Sequence, residues 1–195
     1  MARQGRLLVD GGIYHIIGRG HNRYKLFHSF DDYDEFKEII REYKKTFAFD
    51  VFHYCLMPNH THLLMRVEVG SELPRIMQGM HQAYAKYNKK KHCLIGNLYQ
   101  GRYKGLLVGR DEYLLECGRY IERNPLRAEM VKDLSEYYFS SYRFYAAGKA
   151  DDIIAPNPLY VELARDENAR MGLYRDYLRQ KGPYEKIVDE GLKIV

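Results

Sequence analysis

At 195 residues with 46% hydrophobic side chains, the chain is long enough to bury one sizeable core plus a small appendage. No apolar run approaches the roughly 18 residues a membrane span needs, and the opening MARQGRLLVDGG leads into no secretory apolar region, so the expectation is a soluble, cytoplasmic protein with no membrane partner. The net charge of +5 is uneven: residues 1–110 carry 18 Lys/Arg against 10 Asp/Glu, and from Leu73 to Arg110 eight basic residues stand with no acidic one. Such a stretch invites a polyanion. Cys55, Cys93 and Cys117 are an odd number, far apart and without a C-x-x-C pair, which excludes a disulfide framework or zinc knuckle and predicts reduced, structural thiols.

In chain order, GGIYHIIGRG (Gly11–Gly20) is a short β-branched run between glycines and predicts a strand, followed by the basic loop RGHNRYK. Ser29 and Asp31–Asp32 then open a stretch with Tyr33, Phe36, Ile39, Ile40 and Tyr43 at helical spacing. FDVFHYCLM and THLLMRVEV read as two strands of an antiparallel hairpin, separated only by Pro58, Asn59 and His60. A second helix is expected from about Glu72 to Asn88 and a fourth strand at YKGLLVG. A third helix, DEYLLECGRYIER, ends at Asn124-Pro125, because the residue before proline avoids the helical region. Its expected core face is Leu114, Cys117, Gly118 and Ile121.

The order β-α-β-β-α-β with a helix appended predicts an α+β, ferredoxin-like antiparallel sheet with helices packed on one face and the other face left for a site. Beyond Ser140, AAGKADDIIAPNP is linker-like, and LYVELARDENARMGLYRDYLRQ reads as one further helix.

The question of chemistry centres on MPNHTHLLM (Met57–Met65). On a strand, residues two apart share a face at roughly 6.5 Å, so His60 and His62 can converge on one divalent cation while Thr61 turns away. A lone H-x-H is more often a hydrogen-bonded hairpin pair, so a third donor is needed. Tyr120 and Asn124 are four apart and share a helix face that flanks the core stripe; an amide oxygen is a plausible hard ligand for Mg²⁺ or Mn²⁺. Arg119 and Arg123 flank the tyrosine as cations able to favour its phenolate, although such arginines more often serve in salt bridges.

YHIIGRGHNRYKLF, YCLMPNHTHLLM, YQGRYKGLLV and LLECGRYIERNPLRAEMV, in this order, resemble the single-tyrosine HUH transposases, and among them the REP-associated tyrosine transposase branch. The likeness spans about residues 5–145, which makes 1–145 the expected catalytic domain and 146–195 a helical C-terminal extension. The resemblance implies that His60 and His62 bind the metal, Tyr120 is the nucleophile and Asn124 a third, amide-type ligand. It implies cleavage and rejoining of single-stranded DNA beside a hairpin, through a 5′-phosphotyrosyl intermediate. Arg19, His21, Asn22 and Arg23 in the first loop, Lys89, Lys90 and Lys91 in the basic run, and Gln100, Arg102 and Lys104 before the fourth strand are the DNA-binding candidates. A homodimer is compatible with the resemblance, since the wider class includes dimers that exchange tyrosine helices. The alternative is a DNA- or RNA-hairpin-binding protein on the same sheet that does not cleave, with His60 and His62 structural.

Overall fold

The computed structural model describes residues 7–109 and 111–180. Strands β1 (Gly12–Arg19), β2 (Phe49–Met57), β3 (His60–Val67) and β4 (Lys104–Leu107) form one sheet in the order β2-β3-β1-β4. All three pairings are antiparallel. The turn between β2 and β3 is only Pro58-Asn59, with Met57 paired to His60, so His60 is already the first residue of a strand.

Helices α1 (Phe30–Thr46) and α2 (Leu73–His92) lie on one face of the sheet. Ser29 and Asp32 close a capping box at the start of α1, satisfying N–H groups that the first helical turn leaves without partners. Phe36 and Ile40 from α1 meet Ile76, Met80 and Tyr84 from α2 over Ile16, Leu63 and Met65 of the sheet, all essentially without solvent contact. Each such side chain contributes about 1.5–3 kcal/mol on burial, which makes this layer the principal core.

The appended helix α3 (Asp111–Glu122) covers the opposite face, against β2 and β3. Its Leu114, Cys117 and Ile121 pack on Cys55, Met57 and Leu64. A bulge between Val51 and His53 breaks the alternation of β2, so Phe52 and His53 both face α3 while Val51 before them and Tyr54 after them point into the principal core. Gly118 permits the close approach of α3: a Cβ there would stand 2.6 Å from the His53 ring. A short helix, α4 (Asn124–Arg127), follows after a single turn residue.

The remaining chain forms α5 (Tyr142–Ala147), α6 (Pro158–Glu162) and α7 (Glu167–Arg179). The single helix expected over LYVELARDENARMGLYRDYLRQ is thus two, because the Asp166 side chain accepts from the Ala169 N–H at 2.7 Å and starts a new helix there. These segments close the edge of β2: Leu56 N–H donates to Phe139 O, Ser141 N–H to Tyr54 O and Ala155 N–H to Val51 O. Residues 181–195 of the expected C-terminal extension lie outside the described residues. Cys55 and Cys117 are buried and Cys93 is exposed. No helix among the described residues is long and apolar enough to cross a membrane.

Candidate active site

The antiparallel register places His15 opposite Leu64, Ile17 opposite His62 and Arg19 opposite His60. Alternation then puts His15, His60 and His62 on the face that α3 covers, while Thr61 sits opposite Gly18 and turns to the other side. The rings of His60 and His62 have centroids 4.9 Å apart. Tyr120 of the same chain lies against His62 and His15, its ring 5.9 Å from that of His62 and 5.7 Å from that of His15.

Tyr120 is 3% exposed and belongs to the packed α3 layer, not to a flank of it as its position beside the apolar stripe predicts. The reason is the histidine row, which offers a helix residue just outside the apolar stripe an aromatic surface to lie on. His15 was not expected at the site. Its signal was available in YHIIGR, where it shares a strand face with Arg19, but the register that brings it to His62 is a tertiary fact.

Burial holds all three imidazoles neutral. His15 is pushed down to about 3 by desolvation, His60 to about 4 by desolvation and then the charge of Arg19. His62 lies well below its ordinary value, from desolvation first and then from His60, His15 and Arg127. A neutral imidazole is the ligand form.

Two hydrogen bonds engage the Nδ1 atoms: His60 Nδ1 with Asn59 Oδ1 at 2.6 Å, and His62 Nδ1 with His15 Nε2 at 2.9 Å. Metal-binding imidazoles are held through the nitrogen that does not bind the metal, so this arrangement suits ligation through both Nε2 atoms. The Asn124 amide nitrogen donates to Tyr120 O at 2.9 Å and Ile121 O at 3.1 Å, which fixes its oxygen as the outward, accepting end. Among the described residues no group of three His, Cys, Asp or Glu side chains could hold a metal. The donor set therefore fits a divalent cation only with an amide or ligand oxygen as its third member.

Arg119 pairs with Glu116 and stacks over Tyr177 at 4.4 Å, and Arg123 donates to Leu178 O. Both are committed to α7. A cation meets the tyrosine itself: the Arg127 guanidinium carbon stands 4.9 Å from the Tyr120 ring centroid.

The structure brings together candidates that are far apart in sequence. Gln100 N–H donates to Arg19 O and His21 N–H to Leu98 O, which ties the first loop to the segment before β4. Arg19, His21, Asn22, Arg23, Gln100 and Arg102 are all exposed there, and half-buried Lys104 stands opposite Ile17 on the histidine face. Asn22 and Arg23 adopt left-handed backbone, with φ of 48° and 61°.

Lys89 and Lys90 are exposed near the end of α2. Lys91 differs from them: it bridges Asp31 at 3.1 Å and Asp32 at 3.0 Å across to α1.

A family described as IS200-like transposase matches residues 9–124. Among solved structures, the chain is similar to the REP-associated tyrosine transposase bound to a REP hairpin, with 19% identity and a TM-score of 0.64 over 80% of this chain and 93% of that one. A Deinococcus radiodurans R1 protein assigned as a transposase is similar at 20% identity and a TM-score of 0.43, over 66% of this chain and 92% of that one. No curated protein matches. The fold is that of the first of these structures, and the family match spans every strand of the sheet together with α3 and its tyrosine, so the chain belongs to the IS200-like transposase family.

Proposed function

We propose that the protein is a single-strand DNA endonuclease and strand transferase of the REP-associated type, with Tyr120 as nucleophile and His60, His62 and Asn124 as the ligands of Mg²⁺ or Mn²⁺. The observation that carries this reading is the Tyr120 ring set edge to face on His62, whose ring neighbours that of His60 and whose Nδ1, like that of His60, is already engaged. Membership of a transposase family supports it independently.

A divalent cation bound there would supply Lewis-acid polarisation of the scissile phosphate. Tyr120 Oη forms a bond to phosphorus, the P–O3′ bond breaks in line, and the leaving 3′ oxygen takes up a proton. The product is a 5′-phosphotyrosyl protein and a free 3′-hydroxyl, with the phosphodiester energy conserved for rejoining. The ordinary phenol pKa of about 10 makes tyrosine a weak nucleophile at neutral pH, and Arg127 is the side chain positioned to favour developing negative charge at the ring oxygen. In this arrangement His60, His62 and Tyr120 all come from one chain.

The solved relative was bound to a REP hairpin, and a hairpin with flanking single strand is the substrate class proposed for this chain. Arg19, His21, Asn22 and Arg23, with Gln100, Arg102 and Lys104, would line the path of that strand toward His60. Positive side chains on such a surface track phosphates and fix register.

The test is covalent. Incubation with Mn²⁺ and single-stranded hairpins from the gene's own flanks is expected to give an adduct that survives denaturing electrophoresis and maps to the peptide containing YIERNP. Tyr120→Phe removes one oxygen and is expected to abolish the adduct while hairpin affinity stays nearly unchanged. An adduct persisting in Tyr120→Phe would move the role to another tyrosine. Tight hairpin binding with no adduct under any metal would leave a binding protein on the same fold.

A further inference from the structure

We infer that His15 is a positioning residue of the metal centre: it accepts the Nδ1–H of His62 and so sets the tautomer and ring plane of that ligand. The inference rests on the proposed reading of His60 and His62 as ligands and goes beyond it, to a residue on another strand.

The argument begins with hydrogen counting. A neutral imidazole carries one N–H, so a ring that offers its Nε2 lone pair to a cation must hold its hydrogen on Nδ1. For His62 that N–H is buried, since the residue is 2% exposed. A buried donor without an acceptor is costly, and the atom standing 2.9 Å away is His15 Nε2. His15 can accept there only with its own hydrogen on Nδ1. One short contact thus couples two tautomers.

Strand register explains why this partner is available. His15 faces Leu64 across the β1–β3 ladder and lies diagonally from His62, which faces Ile17. Diagonal neighbours on one face are within reach of long or aromatic side chains. β1 is an interior strand, paired on both sides by β3 and β4, so the His15 backbone is held. Its ring is 0% exposed and also meets Tyr120, edge to face at 5.7 Å. The plane of His62 and the seat of the nucleophile are therefore fixed by the same side chain.

His60 shows the same device built differently, through Asn59, its neighbour in the turn. Without His15, the hydrogen of His62 would favour Nε2, where water or ligand can accept it, and the lone pair needed by the cation would be blocked.

Mn²⁺ affinity in the absence of DNA, read by the free-ion paramagnetic signal, separates this role from packing. His15→Phe keeps an aromatic ring in place and is expected to weaken Mn²⁺ binding about 10–100-fold, the usual cost of removing a ligand's outer partner. Hairpin affinity in EDTA is expected to stay at the wild-type value. His15→Gln offers a carbonyl oxygen near the former Nε2 and is expected to restore most of the lost affinity.

Wild-type affinity in His15→Phe would overturn the inference while leaving the ligand reading intact. A wild-type protein that binds no Mn²⁺ would overturn both. Should the variants fail to fold, nitrogen NMR of the imidazoles in the Mg²⁺-loaded wild type still decides: His15 is expected as the Nδ1–H tautomer, and an Nε2–H form overturns the inference.

Discussion

The Arg127 guanidinium lies over the Tyr120 ring, 4.9 Å from its centroid, and reaches it from the short helix that follows the tyrosine's own. The contact is a cation on an aromatic face, and under the proposed chemistry it also stations a positive charge where the scissile phosphate would arrive. Arg127→Met keeps the apolar stem against the ring and removes the charge. Single-turnover cleavage of a saturating hairpin is expected to fall about 100-fold, comparable to losing one donor to a developing oxyanion. An unchanged rate would reduce Arg127 to packing.

Arg127 also marks the limit of what the sequence discloses. Asn124-Pro125 does end α3, as the proline predicts, but the chain turns at once into α4 and returns a basic side chain to the tyrosine. The 3.6 period read α1, α2 and α3, each of which buries one stripe, and short apolar runs between turn residues read the strands, although β2 and β3 are buried on both faces. Partners across the sheet were not readable. His15 joins the histidine face through the β1–β3 register, and Arg119 and Arg123 find acceptors on Tyr177 and Leu178, more than fifty residues later. The break between α6 and α7 was local and legible in principle, since Asp166 is a good cap, but the continuous helical pattern on both sides hid it.

Asp32 anchors the join between α1 and α2 and gives a pH-dependent prediction. Burial pushes its carboxyl up, but the His28 and Ser29 N–H groups with Lys91 and His92 outweigh burial and hold it well below the usual carboxylate range. A pKa depressed on folding gives stability that is complete above the unfolded value of about 3.9 and lost as pH falls toward the folded one. Asp32→Asn is expected to cost about 1–3 kcal/mol at pH 7. Urea titrations should show the gap to wild type narrowing below about pH 4; a gap constant from pH 7 to pH 3 would contradict the ionised role.

The same ion pair divides the lysine run. Lys91 is held by Asp31 and Asp32, whereas Lys89 and Lys90 are exposed beside it. If about six phosphates are neutralised by the basic surface, affinity for single-stranded DNA should fall with salt at a log–log slope of about −4. Replacing Lys89 and Lys90 together by Ala should flatten that slope by about 1.4. Lys91→Ala is expected to lower stability and leave the slope alone. A flat slope in the wild type would argue against nucleic acid as partner, and equal flattening by Lys91→Ala would return that lysine to the binding surface.

Two residues beyond Tyr120, Glu122 is fully buried and joins α3 to the C-terminal segments. Its carboxylate accepts from His53 Nδ1 at 2.9 Å, Ser141 Oγ at 2.5 Å and Tyr174 Oη at 3.0 Å. The Asn157 amide nitrogen donates to His53 Nε2 at 3.0 Å, so the hydrogen of that imidazole is the one given to Glu122. Three donors thus converge on two oxygens. Glu122→Gln preserves shape but replaces one oxygen with an NH₂ group that faces donors, a loss of about 1–3 kcal/mol. Glu122→Ala leaves all three donors without an acceptor and is expected to cost about 3–5 kcal/mol. The location of the loss is as diagnostic as its size. Hydrogen exchange should quicken in the α3 amides around Tyr120 while β1 and β3 keep their protection, because the network fastens the helix and not the sheet. Uniform loosening of every element, or a Glu122→Gln protein as stable as wild type, would mean that apolar packing alone holds the tyrosine helix in place.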